Sequence, residues 1–254
     1  MPVLEGVFVD EGEAAVISFV VPTLNEQQTV EKTLECLASY SGEHEIIVSD
    51  DNSTDATVEI CQRYADTVVR YSRPEKQTIA QVRNRGAAAA RGDYLVFVDA
   101  DVLIPDIDDF FRSSRARFRS DHRLVALTGQ YRVMPESATA ADRFVFTMLG
   151  LQFLLQNNIL RVGAASGKFQ MVAADAFETI GGFNEKLVAS EDMDLFRRLS
   201  RIGRTYFARD LTVYHSGRRA KAIGWRKLLW QWFSNSVSVF FLNRSVSREW
   251  KVIR

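Results

Sequence analysis

An α/β domain with an amphipathic C-terminal extension is the architecture that this 254-residue chain predicts. Three observations carry it. Short apolar runs alternate with helical patterns through the first half, the residues that follow those runs are polar and mostly acidic, and the end of the chain is basic and rich in tryptophan. Short β-rich runs separated by helices argue for βαβ units, and so for a parallel sheet with helices on both faces.

Taken in order, an apolar run at 16–21 is followed by a helical pattern over 27–40, and the cycle repeats as 45–49 then 56–64. A third run, 67–71, leads to a helix that ends at Arg91-Gly92-Asp93, and 94–98 is a fourth strand. Beyond it the pattern predicts a helix over 106–118, a strand over 124–128 and a long helix over 138–160 rich in Phe and Leu. A strand at 169–172, a turn at Gly181-Gly182-Phe183, a helix over 191–202 and a last strand at 211–214 complete the domain. The simplest division is a catalytic-type domain over 14–219 and an extension over 220–254, with no internal repeat.

With 46% hydrophobic and 25% charged residues, the chain is neither wholly disordered nor collagen-like, and its length suffices to bury a core without staples. Cys36 and Cys61 fall on separate helices with no CxxC, which predicts two buried thiols in a reducing compartment and excludes a disulfide framework or zinc site. The opening MPVLEGVFVDEGE lacks the basic start and apolar run of a secretory signal, so the expected location is cytoplasmic.

The zero net charge conceals an asymmetry: residues 201–254 hold twelve Lys or Arg and two acids, so the first 200 are acidic. Such segregation suggests an anionic contact for the tail, with phosphate, nucleic acid and acidic lipid all open, and a plain solvated face as the bland alternative. No run reaches the roughly 20 apolar residues of a spanning helix. All four tryptophans, Trp225, Trp230, Trp232 and Trp250, nevertheless lie at the end among Arg226, Lys227, Arg244, Arg248 and Lys251. Trp225, Leu228, Leu229, Trp232, Val239 and Phe240 fall near one helical stripe. The stripe either packs on the sheet or meets an anionic membrane peripherally, and the basic excess favours the membrane. A nucleic-acid role is disfavoured because the tryptophans sit among aliphatic residues without an accompanying motif.

Ligands of α/β sheets bind beyond the carboxyl ends of strands. After the first run comes Pro22-Thr23-Leu24-Asn25-Glu26, after the second Asp50-Asp51-Asn52-Ser53, and after the fourth Asp99-Ala100-Asp101. Asp99 and Asp101 flank a small residue and face one side of an extended tip, offering hard oxygens to Mg²⁺ or Mn²⁺. A lone DxD is more often a turn or cap; its place directly after a hydrophobic strand shifts the balance toward metal. Asp51 can accept from a base or ribose, whereas Asp55 reads as helix-start chemistry. Ser190 is a candidate N-cap for the helix that begins at Glu191. On that helix Asp192 shares a face with Leu195, Phe196 and Leu199 and points inward, while Asp194 and Arg197 point elsewhere. Asp192 is then either a general base or an acid that stabilises the helix dipole.

In this order, VVPTLNE, SDDNSTDAT, VRNRGAAAARGDYLVFVDAD, SGKFQMV, FETIGGFNE, SEDMDLFRRL and VYHSGRR resemble the nucleotide-sugar glycosyltransferases of the GT-A fold, specifically inverting family 2. The likeness covers residues 17–219 and implies a mixed, Rossmann-like nucleotide-sugar-binding sheet flanked by helices. It further implies that Pro22, Thr23, Leu24, Glu26 and Asp51 hold the donor nucleoside with Arg83 and Asp99 near its phosphates. Asp101, with Asp99 and His215, would hold Mg²⁺ or Mn²⁺, and Asp192 would deprotonate the acceptor hydroxyl. Glu191, Lys168, Arg218 and Arg219 would meet acceptor or phosphate. Leu103 stands where some polyprenyl-phosphate-loading relatives carry a further polar ligand, and the QxxRW-like signature of processive synthases is absent, so one sugar per encounter is expected.

The function expected is transfer of a sugar from a nucleotide-sugar donor to a hydroxyl of a lipid-linked or cell-envelope glycan, at the cytoplasmic face of a membrane. The charge of a departing nucleoside diphosphate suits a cation and a basic group, whereas hydrolysis needs a paired acid and base or nucleophile. The rivals are a sugar nucleotidyltransferase, for which PTLNEQQ lacks the Gly-rich basic triphosphate loop, and a binding or membrane-scaffolding module that has lost its chemistry.

Overall fold

The computed structural model describes residues 15–72, 75–242 and 245–246. The opening segment, Trp250, Arg244, Arg248, Lys251 and the Phe240 side chain lie outside the described residues.

Four strands pair in parallel: β1 (Ile17–Thr23) lies between β2 (His44–Asp50) and β4 (Tyr94–Val98), with β3 (Thr67–Arg70) outside β2. β7 (Phe169–Ala173) then runs antiparallel to β4, and β6 (Leu124–Val133) antiparallel to β7. β8 (Arg204–His215) is parallel to β6, and β5 (Val102–Leu103) closes the order β3-β2-β1-β4-β7-β6-β8-β5. The sheet is therefore mixed, the parallel half being the one that the βαβ periodicity predicts.

Period-two alternation divides the core between the two faces. Ile17, Phe19 and Val21 of β1 join Leu34 and Leu37 of α1 (Val30–Ala38) and Phe110 and Phe111 of α4 (Ile107–Ser120) on one side. Val20 joins Ala80 of α3 (Ile79–Ala87) and Leu195, Phe196 and Leu199 of α7 (Glu191–Leu199) on the other. Helices thus cover both faces. Gly86 lets α3 lie directly on β1, since a Cβ there would stand 2.5 Å from Val20 Cγ1. That close approach brings Arg83, one turn earlier, against the end of the sheet.

Several element boundaries differ from the expectation for local reasons. β8 begins at Arg204 rather than 211, because exposed Arg209 and Asp210 sit in a bulge opposite Gly129 and Gln130 and interrupt its apolar pattern. The long helix is α5 (Ala140–Leu154) followed by a π-turn, Leu155–Ile159, and α5 starts with a Thr139/Asp142 capping box. α2 (Thr57–Cys61) is shorter than its pattern, and α6 (Ala174–Thr179), which was not expected, follows β7 without a gap. Ser190 is not a side-chain cap: its φ is 63° and its hydroxyl makes no capping bond. Cys36 is half-buried rather than buried, and burial pushes the Cys61 thiol up to about 12.

The tail is two helices, α8 (Arg218–Ile223) and α9 (Trp225–Leu242), separated by Gly224 at φ 77°. The expected stripe turns largely toward the protein. Leu228 and Val239 are buried, Trp225 stacks edge-on against Phe146 and Trp232, and its Nε1 donates to Asp142 at 2.9 Å. Among its described side chains, α9 exposes the apolar Leu229, Trp230 and Phe233. Among the described residues, no helix is long and apolar enough to cross a membrane.

Candidate active site

Sheet register assembles the acidic residues. β1, β2 and β4 end on one edge, which places Pro22 opposite Ser49 and Thr23 opposite Asp50. Val98 of β4 pairs with Phe169 of β7, so the chain leaving one strand through Asp99-Ala100-Asp101 runs beside the chain entering the other through Gly167-Lys168. Val102 pairs with His215, which brings the end of β8 alongside Asp101. None of these neighbours is close in sequence.

Arg83 lies at the centre and is almost fully buried, at 2% exposure. Nη1 donates to Glu191 Oε1 at 2.8 Å, and Nη2 donates to Asp99 Oδ1 at 3.0 Å and to the Gly167 carbonyl at 3.1 Å. Its guanidinium lies over the Phe183 ring. A Cβ at Gly167 would displace the guanidinium from this position. Burial opposes the Arg83 charge, but Asp99, Glu191 and Asp192 outweigh it and hold the group protonated. Arg83 thus ties α3, the DAD turn and α7 together; expected beside the donor phosphates, its fork is already engaged by protein.

Lys168 Nζ bridges the DAD carboxylates, at 2.8 Å from Asp101 Oδ1 and 3.1 Å from Asp99 Oδ2. Asp101 is buried and also accepts from Ser216 Oγ at 2.5 Å, with Arg218 Nε at 3.7 Å. Burial would raise its pKa, yet the charges of Lys168 and Arg218 and the hydrogen bonds from Lys168 and Ser216 hold it well below the usual carboxylate range.

Arg218 grips Glu26 with both terminal nitrogens, at 2.6 and 2.5 Å, so α8 is strapped across the β1 tip. Burial of Arg218 is outweighed by these bonds and by Asp101, which raise its pKa; neighbouring Arg219, half-buried, is lowered to about 10 by desolvation and by the Arg218 charge. At the β1 and β2 tips, Asp50 is structural, accepting from Thr23 Oγ1 and from the backbone and hydroxyl of Ser53. Asp55 likewise accepts from the Thr57 backbone and hydroxyl. Asp51 is half-buried, as is Leu24, and burial raises its pKa against the opposing charge of Arg85.

Glu191 and Asp192 open α7 beside Arg83. Glu191 is 6% exposed and committed to Arg83. Asp192 is half-buried and accepts from the Met193 backbone at 2.8 Å. Burial raises the pKa of both; the Asp192 charge raises Glu191 further, while Arg83 opposes each shift. Leu195, Phe196 and Leu199 face inward as expected. Asp194 does too, contrary to the helical-face assignment, because Arg197 and Arg198 reach back to neutralise it at 3.5 and 2.7 Å.

A pH effect on stability follows. Folded Glu191 keeps its proton where the unfolded chain, with an ordinary value near 4.5, has released it, so stability falls as pH rises above that value. The wild type should therefore lose more melting temperature between about pH 5 and about pH 8 than Glu191→Gln does. An equal or smaller loss in the wild type would remove the assignment.

His215, expected with Asp99 and Asp101 in the metal set, is brought alongside Asp101 by the pairing of Val102 with it. It is buried against Phe146, and its Nδ1 accepts the Gly217 backbone N–H at 3.1 Å, which leaves the proton of the neutral ring on Nε2. Nε2 is buried without a hydrogen-bond partner among the described residues, and burial together with Lys168 lowers the ring to about 3. Among the described residues no three His, Cys, Asp or Glu side chains converge as metal donors. The carboxylates of Asp99 and Asp101 do converge on one cationic point, now held by Lys168. Lys168's bridge, the Ser216 bond and the charge of Arg85 acting on Asp51 were not read as such from sequence; two arginines in VRNRG are the signal that preceded the last.

The model of "Glycosyl transferase family 2" matches residues 18–180. The succinoglycan biosynthesis protein ExoA of Rhizobium meliloti (strain 1021) is 29% identical over 242 residues, covering 84% of this chain and 66% of ExoA. Among solved structures, the mannosyltransferase PcManGT from Pyrobaculum calidifontis, in complex with GDP-Man and Mn²⁺, superposes with a TM-score of 0.68 at 19% identity, covering 89% of this chain and 64% of that one. S. aureus TarS 1-349 in complex with UDP-GlcNAc gives 0.61 at 19% identity, over 78% of this chain and 57% of that one. The chain thus spans somewhat less than two thirds of the length of these relatives. The matched segment runs from β1 through α6 and contains the strand tips and the DAD turn, and the sheet recurs in a solved mannosyltransferase; the chain belongs to glycosyl transferase family 2 and is built on the GT-A fold.

Proposed function

We propose that this chain is an inverting glycosyltransferase that moves a sugar from a nucleotide-sugar donor to a hydroxyl. One observation carries the proposal: four carboxylates, Asp99, Asp101, Glu191 and Asp192, are gathered at the sheet edge around Arg83 and Lys168. The raised pKa values of Glu191 and Asp192 mark that concentration of negative charge in a desolvated place. A cluster of this kind is costly to fold and is suited to a divalent cation with a phosphorylated ligand.

Asp99 and Asp101 would hold Mg²⁺ or Mn²⁺, which when bound neutralises charge on a diphosphate leaving group. The β1 tip, Pro22 to Glu26, with Asp51 would hold the nucleoside. Asp192, in the turn beside Arg83, takes the proton of the acceptor hydroxyl. The acceptor oxygen then bonds to the anomeric carbon from the face opposite the phosphate as the carbon–oxygen bond to the phosphate breaks, and the nucleoside diphosphate leaves with that electron pair. A raised Asp192 pKa strengthens the base at the cost of moving the acid limb of the rate profile above the ordinary aspartate range.

The relatives support the donor class, being solved with GDP-Man and with UDP-GlcNAc, and ExoA, a succinoglycan biosynthesis protein, supports a glycan as product. We read residues 14–219 as the catalytic unit and 220–254 as its extension. Exposed Arg226, Lys227, Leu229, Trp230 and Phe233 support peripheral contact of that extension with an anionic membrane on its cytoplasmic face, where a lipid-linked acceptor is presented. The test is release of nucleotide, the nucleoside diphosphate from UDP-, GDP- and dTDP-sugars or CMP from CMP-sugars, with Mg²⁺ or Mn²⁺ and a lipid-linked glycan fraction. Turnover of one donor, dependent on acceptor, is expected; no turnover of any donor by folded protein would favour a binding module.

A further inference from the structure

We infer that Lys168 is a built-in placeholder for the divalent cation: it occupies the Asp99–Asp101 pair in the absence of metal and must withdraw before an ion can bind there. This rests on the proposal that the pair takes Mg²⁺ or Mn²⁺.

The oxygens decide it. Asp99 Oδ1 is engaged by Arg83 Nη2, and Asp101 Oδ2 by Ser216 Oγ. The oxygens left for an ion are Asp99 Oδ2 and Asp101 Oδ1, and both are on Lys168 Nζ, at 3.1 and 2.8 Å. Arg83 reaches Asp99 alone, and Arg218 approaches Asp101 at 3.7 Å. An ion bonded to those two oxygens at about 2.0–2.1 Å would press against the ammonium, and like charges in contact repel. Metal and Lys168 therefore exclude one another.

Lys168 is also free to leave. It sits in the turn before β7, its side chain is 25% exposed, and its flexible stem carries a point charge rather than a fixed fork. Once displaced, it needs a new anionic partner, and a diphosphate on the same edge supplies one. The ion should consequently bind weakly alone and more tightly with nucleoside diphosphate, with the coupling running through Lys168.

The experiment is calorimetric titration of Mn²⁺ into wild-type, Lys168→Met and Lys168→Gln protein, with and without UDP or GDP. Without nucleotide, both neutral variants should bind Mn²⁺ at least about tenfold more tightly than wild type, and nucleotide should improve wild-type affinity by the larger factor. Equal or weaker Mn²⁺ binding in both folded variants overturns the placeholder and leaves the metal proposal standing. No Mn²⁺ binding by any form, with or without nucleotide, brings down both. Should the neutral variants fail to fold, acetylation of Lys168 in wild type, followed by mass spectrometry, should rise on adding Mn²⁺; unchanged labelling contradicts the inference.

Discussion

Replacing Asp192 with Asn lowers sugar transfer by about 10²–10⁴-fold while leaving donor affinity close to wild type, if its carboxylate is the base that takes the acceptor proton. The amide keeps the size of the side chain and can still accept the Met193 backbone N–H, so the start of α7 should be undisturbed. It cannot take a proton. Residual transfer by the variant should also lose the acid limb that the raised Asp192 pKa gives the wild type. Steady-state rates across pH, with donor affinity measured separately, check both parts. Full transfer by Asp192→Asn would remove Asp192 from the chemistry, and parallel loss of donor binding would make it a binding residue.

Arg83→Leu should cost about 3–5 kcal/mol of folding stability, because it leaves Glu191 and one oxygen of Asp99 without their cation in a desolvated place. The charge is not the whole of it. Arg83 joins α3, the DAD turn, the Gly167 carbonyl and α7 through one planar group, and Lys cannot reproduce that fork. Urea denaturation should place Arg83→Lys between wild type and Arg83→Leu. Adding Glu191→Gln to Arg83→Leu should recover part of the loss at about pH 8, where wild-type Glu191 is ionised and the single variant must protonate it or leave it unpaired. A cost below about 1 kcal/mol for Arg83→Leu would show that the centre of the site is not held by this ion network.

The parallel half of the sheet was legible because β1, β2 and β4 are buried on both faces and read as continuous apolar runs between helical patterns. β5 was not, since two residues carry no periodicity, and its pairing to β8 is what brings His215 and Ser216 to Asp101. The acidic residues at strand tips and at the start of α7 could be picked out by type and position. What they touch could not. Lys168 meets Asp99 and Asp101 only through the register of β4 against β7, and Glu191 turns to Arg83 across a separation of 108 residues. Asp194 shows the same limit from the other side: helical spacing put it outward, while two arginines on its own helix make its burial tolerable. The stripe on α9 was found as a stripe, but its Trp225 packs on Phe146 and its Leu228 and Val239 are buried in the protein.

The central claim is that this acidic edge binds a nucleotide sugar through a cation held by the DAD turn. The most direct measurement is a thermal-shift screen of UDP-, GDP-, dTDP- and CMP-sugars with and without Mn²⁺, on wild type and Asp101→Ala, because a ligand that binds only folded protein raises the midpoint by mass action. The account predicts a shift with one nucleotide class that depends on Mn²⁺ and disappears in Asp101→Ala. A folded wild-type protein that shows no shift with any donor, or a shift indifferent to both Mn²⁺ and Asp101, would contradict it.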